Sequence, residues 1–189
     1  RQRLPLRLHP PCDGCRPPPA PRPPGICGDT VEEFLKYCGD KYESITALEP
    51  DRRTFRKLCD YLQNIPCSTA YQKAIYNEIT TIKFSSKAGR QSAISDKGEE
   101  TETATIDDLF KNSKVTYIKI DVEGAESEAL DGGKITLKQQ KPKLNIALYH
   151  RSADIFELPL KIAQINPDYR FYIRRHPYIP CWDMNLYCI

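Results

Sequence analysis

From Asp29 onward, short apolar runs that each stop at a polar residue alternate with stretches of helical period, and the last two runs are joined by a short link. Asp29-Thr-Val-Glu32 opens the first helix, with Asp29 as N-cap and Glu32 as its capping-box partner. Val31, Phe34, Leu35 and Cys38 then fall at the i, i+3, i+4, i+7 spacing of one buried face, and Gly39 closes the helix. Ser44 to Leu48 is a strand, and Phe55, Leu58, Cys59 and Leu62 repeat the helical period. Tyr71 to Thr105 reads as a strand plus a hairpin-like insertion, with turn signals at Lys87-Ala-Gly89 and Asp96-Lys-Gly98. Ile106 to Phe110 is one helical turn, Val115 to Ile120 a strand, and a glycine-bounded helical stretch runs on to Leu130. Leu144 to Tyr149 is an apolar strand, with Ile155, Leu158, Ile162 and Ile165 as a helix face against it. Tyr169 to Arg175 and Met184 to Ile189 are the closing strands. The alternation predicts a parallel α/β sheet. The link from Arg175 to Asp183 is shorter than the dozen or so residues of a helical crossover, so the closing strands should pair antiparallel.

A chain of 189 residues supports one domain with a sizeable core. Nine of its 16 prolines and five arginines lie in residues 1–24, so the composition changes sharply near Gly25. Proline fixes φ and lacks an N–H, which bars this segment from a central strand or a helix interior. The expected organisation is a disordered or non-native segment over 1–24 and a folded domain over 25–189; a polyproline II ligand for an SH3-type partner is the lesser reading. The 28 basic and 25 acidic residues are interspersed, so the net charge of +3 leaves no electrostatic footprint for nucleic acid or an anionic membrane. No apolar run approaches the roughly 20 residues of a membrane span. Among the eight cysteines, Cys38 and Cys59 fall at apolar helix positions, which favours a cytoplasmic protein over a disulfide framework. Cys12-Asp-Gly-Cys15 has the spacing of half a zinc site without a second half, and reads as a chance pair.

In an open α/β sheet the ligand lies beyond the carboxyl ends of the strands. Glu49, Asp121 and His150 each follow such a strand. An acid at the position of Glu49 can accept both hydroxyls of a ribose, and because capping of the next helix falls to Asp51, Glu49 has no structural role of its own. Asp121 follows Tyr-Ile-Lys-Ile and is separated from the next helix by Val122, so it too reads as functional, since an unpaired acid there is costly to bury. Glu123 is open between helix start and ligand shell, and Glu126 reads as helix-terminal electrostatics. Tyr149-His150 is an even choice between a core pair and a site.

The run YIKIDVEGAESEALDGG, the later KPKLNIALYHRSADIFELPLKIAQINPDYRFYIRRH and the closing NLYCI resemble FkbM-type S-adenosylmethionine-dependent methyltransferases, with the likeness continuing upstream through GDTVEEFLKYCGDKYESITALEPD. The resemblance covers roughly residues 28 to 189. It implies a Rossmann-like class I methyltransferase sheet, mostly parallel and seven-stranded, closed by an antiparallel C-terminal strand pair. It further implies S-adenosylmethionine as cofactor and methyl transfer to a hydroxyl of a sugar or similar small molecule. Glu49 would hold the cofactor ribose, Gly28, Asp29 and Thr30 would end the glycine-rich first loop, and Asp121 and Glu123 would face the cofactor. His150 and Asp121 are the candidate general bases; no metal ligands are assigned, although an ion on Asp121 and Glu123 is an alternative way of acidifying the hydroxyl.

The family's first strand normally ends in D-x-G-A-x-x-G-D-T. Here Gly25-Ile-Cys-Gly-Asp-Thr30 keeps the tail of that loop, while Arg22 and Pro24 stand at the family's acid and first glycine. The expectation is that the first central strand is missing and that the chain as written binds S-adenosylmethionine weakly or not at all. It is then either a damaged O-methyltransferase or a non-catalytic remnant. A nicotinamide-dependent oxidoreductase would need a complete GxGxxG after a strand, and there is none.

Overall fold

The structure, a computed structural model, describes residues 29–39, 41–84, 98–175 and 184–189. The 1–24 segment, Gly28, the predicted turn at 87–89 and the closing link at 176–183 lie outside them. Helix α1 spans Asp29–Cys38 and buries Val31 and Phe34. It stops at Gly39, whose φ of +57° and N–H to the Leu35 carbonyl (2.9 Å) form a left-handed C-terminal turn. Strand β1 (Ile45–Leu48) runs parallel to β2 (Ser68–Tyr71), with Ile45 opposite Ser68. Between them lies α2 (Arg52–Leu62), and Asp51 is its N-cap, accepting the Thr54 N–H at 2.8 Å. Asp51→Ala should therefore lower stability by about 1 kcal/mol, read as a fall in melting temperature of about 2–4 °C.

The insertion is a short three-stranded sheet. Strand β3 (Ala74–Ile75) lies parallel to β5 (Glu99–Ala104), and β4 (Thr81–Phe84) pairs antiparallel with β5. Helix α3 (Ile106–Phe110) follows, capped by Thr105. Then come β6 (Tyr117–Ile120), α4 (Glu126–Asp131), α5 (Lys134–Gln140), β7 (Lys143–Ala147), α6 (Asp154–Ile165), β8 (Phe171–Arg175) and β9 (Met184–Cys188). A four-stranded sheet has the order β6-β7-β9-β8. Its β6 and β7 are parallel, β9 is antiparallel to both neighbours, and the closing pair is antiparallel as the short link predicts.

The structure departs from the sequence-based expectation in three places. Strand β2 and helix α5 are additional elements. The described strands form three hydrogen-bonded sheets with as many antiparallel as parallel pairings, rather than one mostly parallel sheet. The reason is that the hairpin insertion and the reversed strand β9 contribute every antiparallel pairing, while no strand among the described residues joins β1 to β6. The core is nonetheless continuous: Ile45, Phe110, Ile118, Leu130, Leu137, Ile146, Ile162 and Leu186 are all fully buried members of it. Each such side chain contributes on the order of 1.5–3 kcal/mol of transfer free energy. Gly132, between α4 and α5, packs where a Cβ would run into the Tyr76 carbonyl oxygen, so only glycine permits this approach of the helix corner to the insertion.

Candidate active site at the carboxyl ends of β6 and β7

Parallel pairing sets β6 and β7 side by side in the register Tyr117↔Lys143, so the residues that follow the two strands emerge together. Asp121 follows β6, and Tyr149-His150 follows β7. Between Asp121 and α4 the backbone makes a tight turn in which Glu123 and Gly124 are both left-handed, at φ +54° and +96°. For a glutamate this conformation is uncommon and strained, and it is held by the surrounding contacts. Gly124 is the glycine that bounds the helical stretch read from the sequence, and its φ of +96° places it in this turn.

The turn assembles a buried group of acids around one imidazole. His150 Nδ1 lies 2.7 Å from Glu126 Oε1, and the same oxygen accepts the Val122 N–H at 2.9 Å. His150 Nε2 lies 3.5 Å from Asp121 Oδ1 and 3.4 Å from Glu123 Oε2, ion-pair separations longer than a hydrogen bond. Tyr149 Oη donates to Asp121 Oδ1 at 2.9 Å. Asp121 and Glu126 are 4 % and 1 % exposed. Burial alone would lower the His150 pKa, but its contacts with Glu123 and Glu126 and the charges of Glu126 and Asp121 outweigh it and push it up to about 10. Burial likewise tends to raise Glu123, and the His150 contact outweighs it, so this carboxyl stays well below the usual range. At neutral pH the group holds one imidazolium among three acids. A ring in that state balances charge rather than accepting a proton.

Sequence reasoning leaves Glu126 outside the site, as a helix-terminal charge. The structure places it at the centre, because its side chain folds back to Val122 and His150. Tyr149 is similarly unassigned from sequence, though it bonds the acid expected at the reacting centre. The signal for both is a Tyr-His pair after an apolar strand parallel to the strand that ends in Asp121. Lys119 also escapes a reading by pattern. Although it lies within a β-branched run, it is buried and reaches Glu33 of α1 at 3.2 Å, tying that helix to β6.

Glu49 follows β1 and is 5 % exposed, and contrary to expectation it has a structural role, since its Oε1 accepts the Asp51 N–H at 2.9 Å. Burial is the main influence on its acidity; with the Asp51 charge it outweighs the lowering effect of that hydrogen bond and raises the pKa to about 7. The cluster around His150 does not include it. Thr30 is buried in the first turn of α1, Asp29 begins that helix, and Gly28 lies outside the described residues, as does the capping contact expected of the Asp29 side chain. Among the described residues Cys59 and Cys188 are free thiols. No helix among the described residues is long and apolar enough to cross a membrane.

The family model for the Methyltransferase FkbM domain matches residues 20–178. The chain belongs to the FkbM methyltransferase family. The match takes in every site residue named above and begins within the proline-rich segment. No curated protein matches the chain. Among solved structures, this FkbM-family chain resembles the crystal structure of Methyltransferase FkbM from Methylobacillus flagellatus KT, with 26 % identity and a TM-score of 0.71. The superposition covers 86 % of this chain and 40 % of that one, so the chain spans less than half the length of its structural relative.

Proposed function

We propose that this chain is an S-adenosylmethionine-dependent O-methyltransferase domain that acts in the cytoplasm on a hydroxyl of a sugar-like small molecule, with cofactor affinity reduced by the proline-rich sequence standing where the family carries its first strand. The observation that carries the reading is the buried Asp121–Glu123–Glu126–His150 group at the carboxyl ends of two adjacent parallel strands, where this class of sheet binds its ligands. Three acids and one imidazolium leave net negative charge, which favours a sulfonium cation. When bound, S-adenosylmethionine would supply an activated methyl group, which an acceptor hydroxyl would take in exchange for its proton, leaving a neutral thioether. Asp121 is the group suited to take that proton, and His150 orients and balances it. Glu49 holds the ribose, Gly28, Asp29 and Thr30 close the first cofactor loop, and Glu123 belongs to the cofactor shell.

A second reading, a non-catalytic remnant without cofactor, is favoured by the prolines of residues 1–24. Calorimetric titration separates the two. The chain itself should bind S-adenosylmethionine more weakly than low-micromolar, and exchanging residues 1–24 for an apolar strand ending in D-x-G-A should restore binding and methyl transfer to a hydroxyl acceptor. A repaired protein that still fails to bind would leave the remnant reading standing. In the repaired protein Glu49→Ala should weaken cofactor binding by about 1–3 kcal/mol through lost ribose hydrogen bonds; unchanged affinity would remove Glu49 from the site.

A further inference from the structure

We infer that His150, Asp121 and Glu123 form a binding site for a divalent transition-metal cation of the Mn2+ or Zn2+ type, with Glu126 as the residue that positions the imidazole. The two ring nitrogens of His150 are unequal. Nδ1 sits 2.7 Å from Glu126 Oε1, a short charge-assisted contact that places the Nδ1 proton on that side of the ring. The Nε2 atom is buried without a hydrogen-bond partner, on a side chain that is 9 % exposed, and it points between two carboxylates. Its separations of 3.4 Å to Glu123 Oε2 and 3.5 Å to Asp121 Oδ1 are too long for hydrogen bonds from a charged donor.

They suit a different contact. Metal–ligand bonds of about 2.0–2.2 Å that meet at octahedral or tetrahedral angles put neighbouring donor atoms about 2.8–3.6 Å apart. Nε2 lies within 3.5 Å of both the Asp121 and the Glu123 carboxylates, and the donor atoms of Asp121, His150 and the outer Glu126 lie within 4.8 Å of one another, so the ring and its Asp121 and Glu126 partners are already compact. The carboxylate, histidine and ion then form the arrangement in which the outer acid fixes the tautomer and aims the other nitrogen at the metal. Glu126 is well placed for this, because its Oε1 is anchored by the Val122 N–H as well as by the ring. One imidazole with two carboxylates favours Mn2+ or Zn2+ over Mg2+, which prefers oxygen donors alone. The left-handed backbone at Glu123 has a consequence here too, since it is this turn that carries the Glu123 carboxylate back to His150. The ion's purpose, lowering the pKa of a bound acceptor hydroxyl, rests on the methyltransferase reading; its binding does not.

The test is titration of the full chain with Mn2+ alone, without cofactor, followed by the loss of the free-ion electron paramagnetic resonance signal. One equivalent should be taken up, with release of the Nε2 proton that the ring carries at neutral pH, and the Mn2+ should then be displaced by Zn2+. Asp121→Asn and His150→Gln should each weaken uptake at least about tenfold, Glu126→Gln about tenfold through the ring, and Glu33→Gln not at all. Circular dichroism on the same samples identifies any variant that fails to fold, and Glu123→Gln then replaces it in the comparison. Absence of uptake by the unmodified chain, or uptake indifferent to both Asp121→Asn and His150→Gln, overturns the site. An S-adenosylmethionine titration of the repaired protein in chelator keeps the two proposals apart: cofactor binding with no Mn2+ uptake removes only the ion, and Mn2+ uptake with no cofactor binding removes only the methyltransferase reading.

Discussion

His150→Ala should cost the fold about 3–5 kcal/mol, the loss expected when one partner of a buried ionic group is removed and the others remain. Three acids surround the ring, and Asp121 and Glu126 are 4 % and 1 % exposed, so neither has ready access to water once the imidazolium is gone. The deletion also strips Glu126 Oε1 of its shortest contact and leaves only the Val122 N–H. Urea unfolding of the chain and the variant at pH 7.5 measures the difference. Combining His150→Ala with Glu126→Gln should recover part of the loss, because the second change removes one of the stranded charges. A single-variant loss below about 1 kcal/mol would show that the acids are not held by the ring.

Glu49 should make the fold weaken as pH rises, the reverse of an ordinary carboxylate. In the folded chain its carboxyl keeps a proton up to about pH 7, while in the unfolded chain it loses that proton near the ordinary value of 4.5. Between those limits the folded state binds more protons, so the stabilisation is complete below about pH 4.5 and is lost as pH climbs through about 7. The full window corresponds to about 3 kcal/mol, taking 1.36 kcal/mol per pKa unit. Glu49→Gln cannot ionise. The stability of the natural chain relative to this variant should therefore fall by about that amount between pH 4.5 and pH 8. A difference that stays flat across the range would sink the expectation. Under the proposed ribose-binding role of Glu49, the charged carboxylate is the better acceptor for two hydroxyls, so cofactor affinity in the repaired protein should rise through pH 7.

Much of the fold is legible in the sequence because the chemistry of the elements is carried locally. Helices α1, α2 and α6 show their apolar faces at helical spacing, and the antiparallel closing pair follows from a link too short for a crossover. Strand β2 is not legible: Ser68-Thr-Ala-Tyr71 has no apolar run, and it is a strand because β1 offers it a backbone ladder. Helix α5 is hidden for a related reason. Only Thr136 and Leu137 of its seven residues are buried, and Gly132-Gly133 before it reads as an ending rather than as a tight corner against Tyr76. The strand-end positions of Asp121 and His150 at the site, and of Glu49 outside the cluster, can be read from topology alone. The inward fold of Glu126 cannot, since it depends on a partner 24 residues away brought close by the pairing of β6 with β7.

That partnership has a bearing on how such a sequence can drift. A single oxygen of Glu126 serves both the backbone of the acid turn and the ring of His150. A change at 126 therefore disturbs the loop before β7 registers it, and a change at 150 strands a charge that the loop was shaped to carry. Neither position can be exchanged first without a loss, so the two behave as one inherited unit, and descendants that abandon one would be expected to have abandoned both.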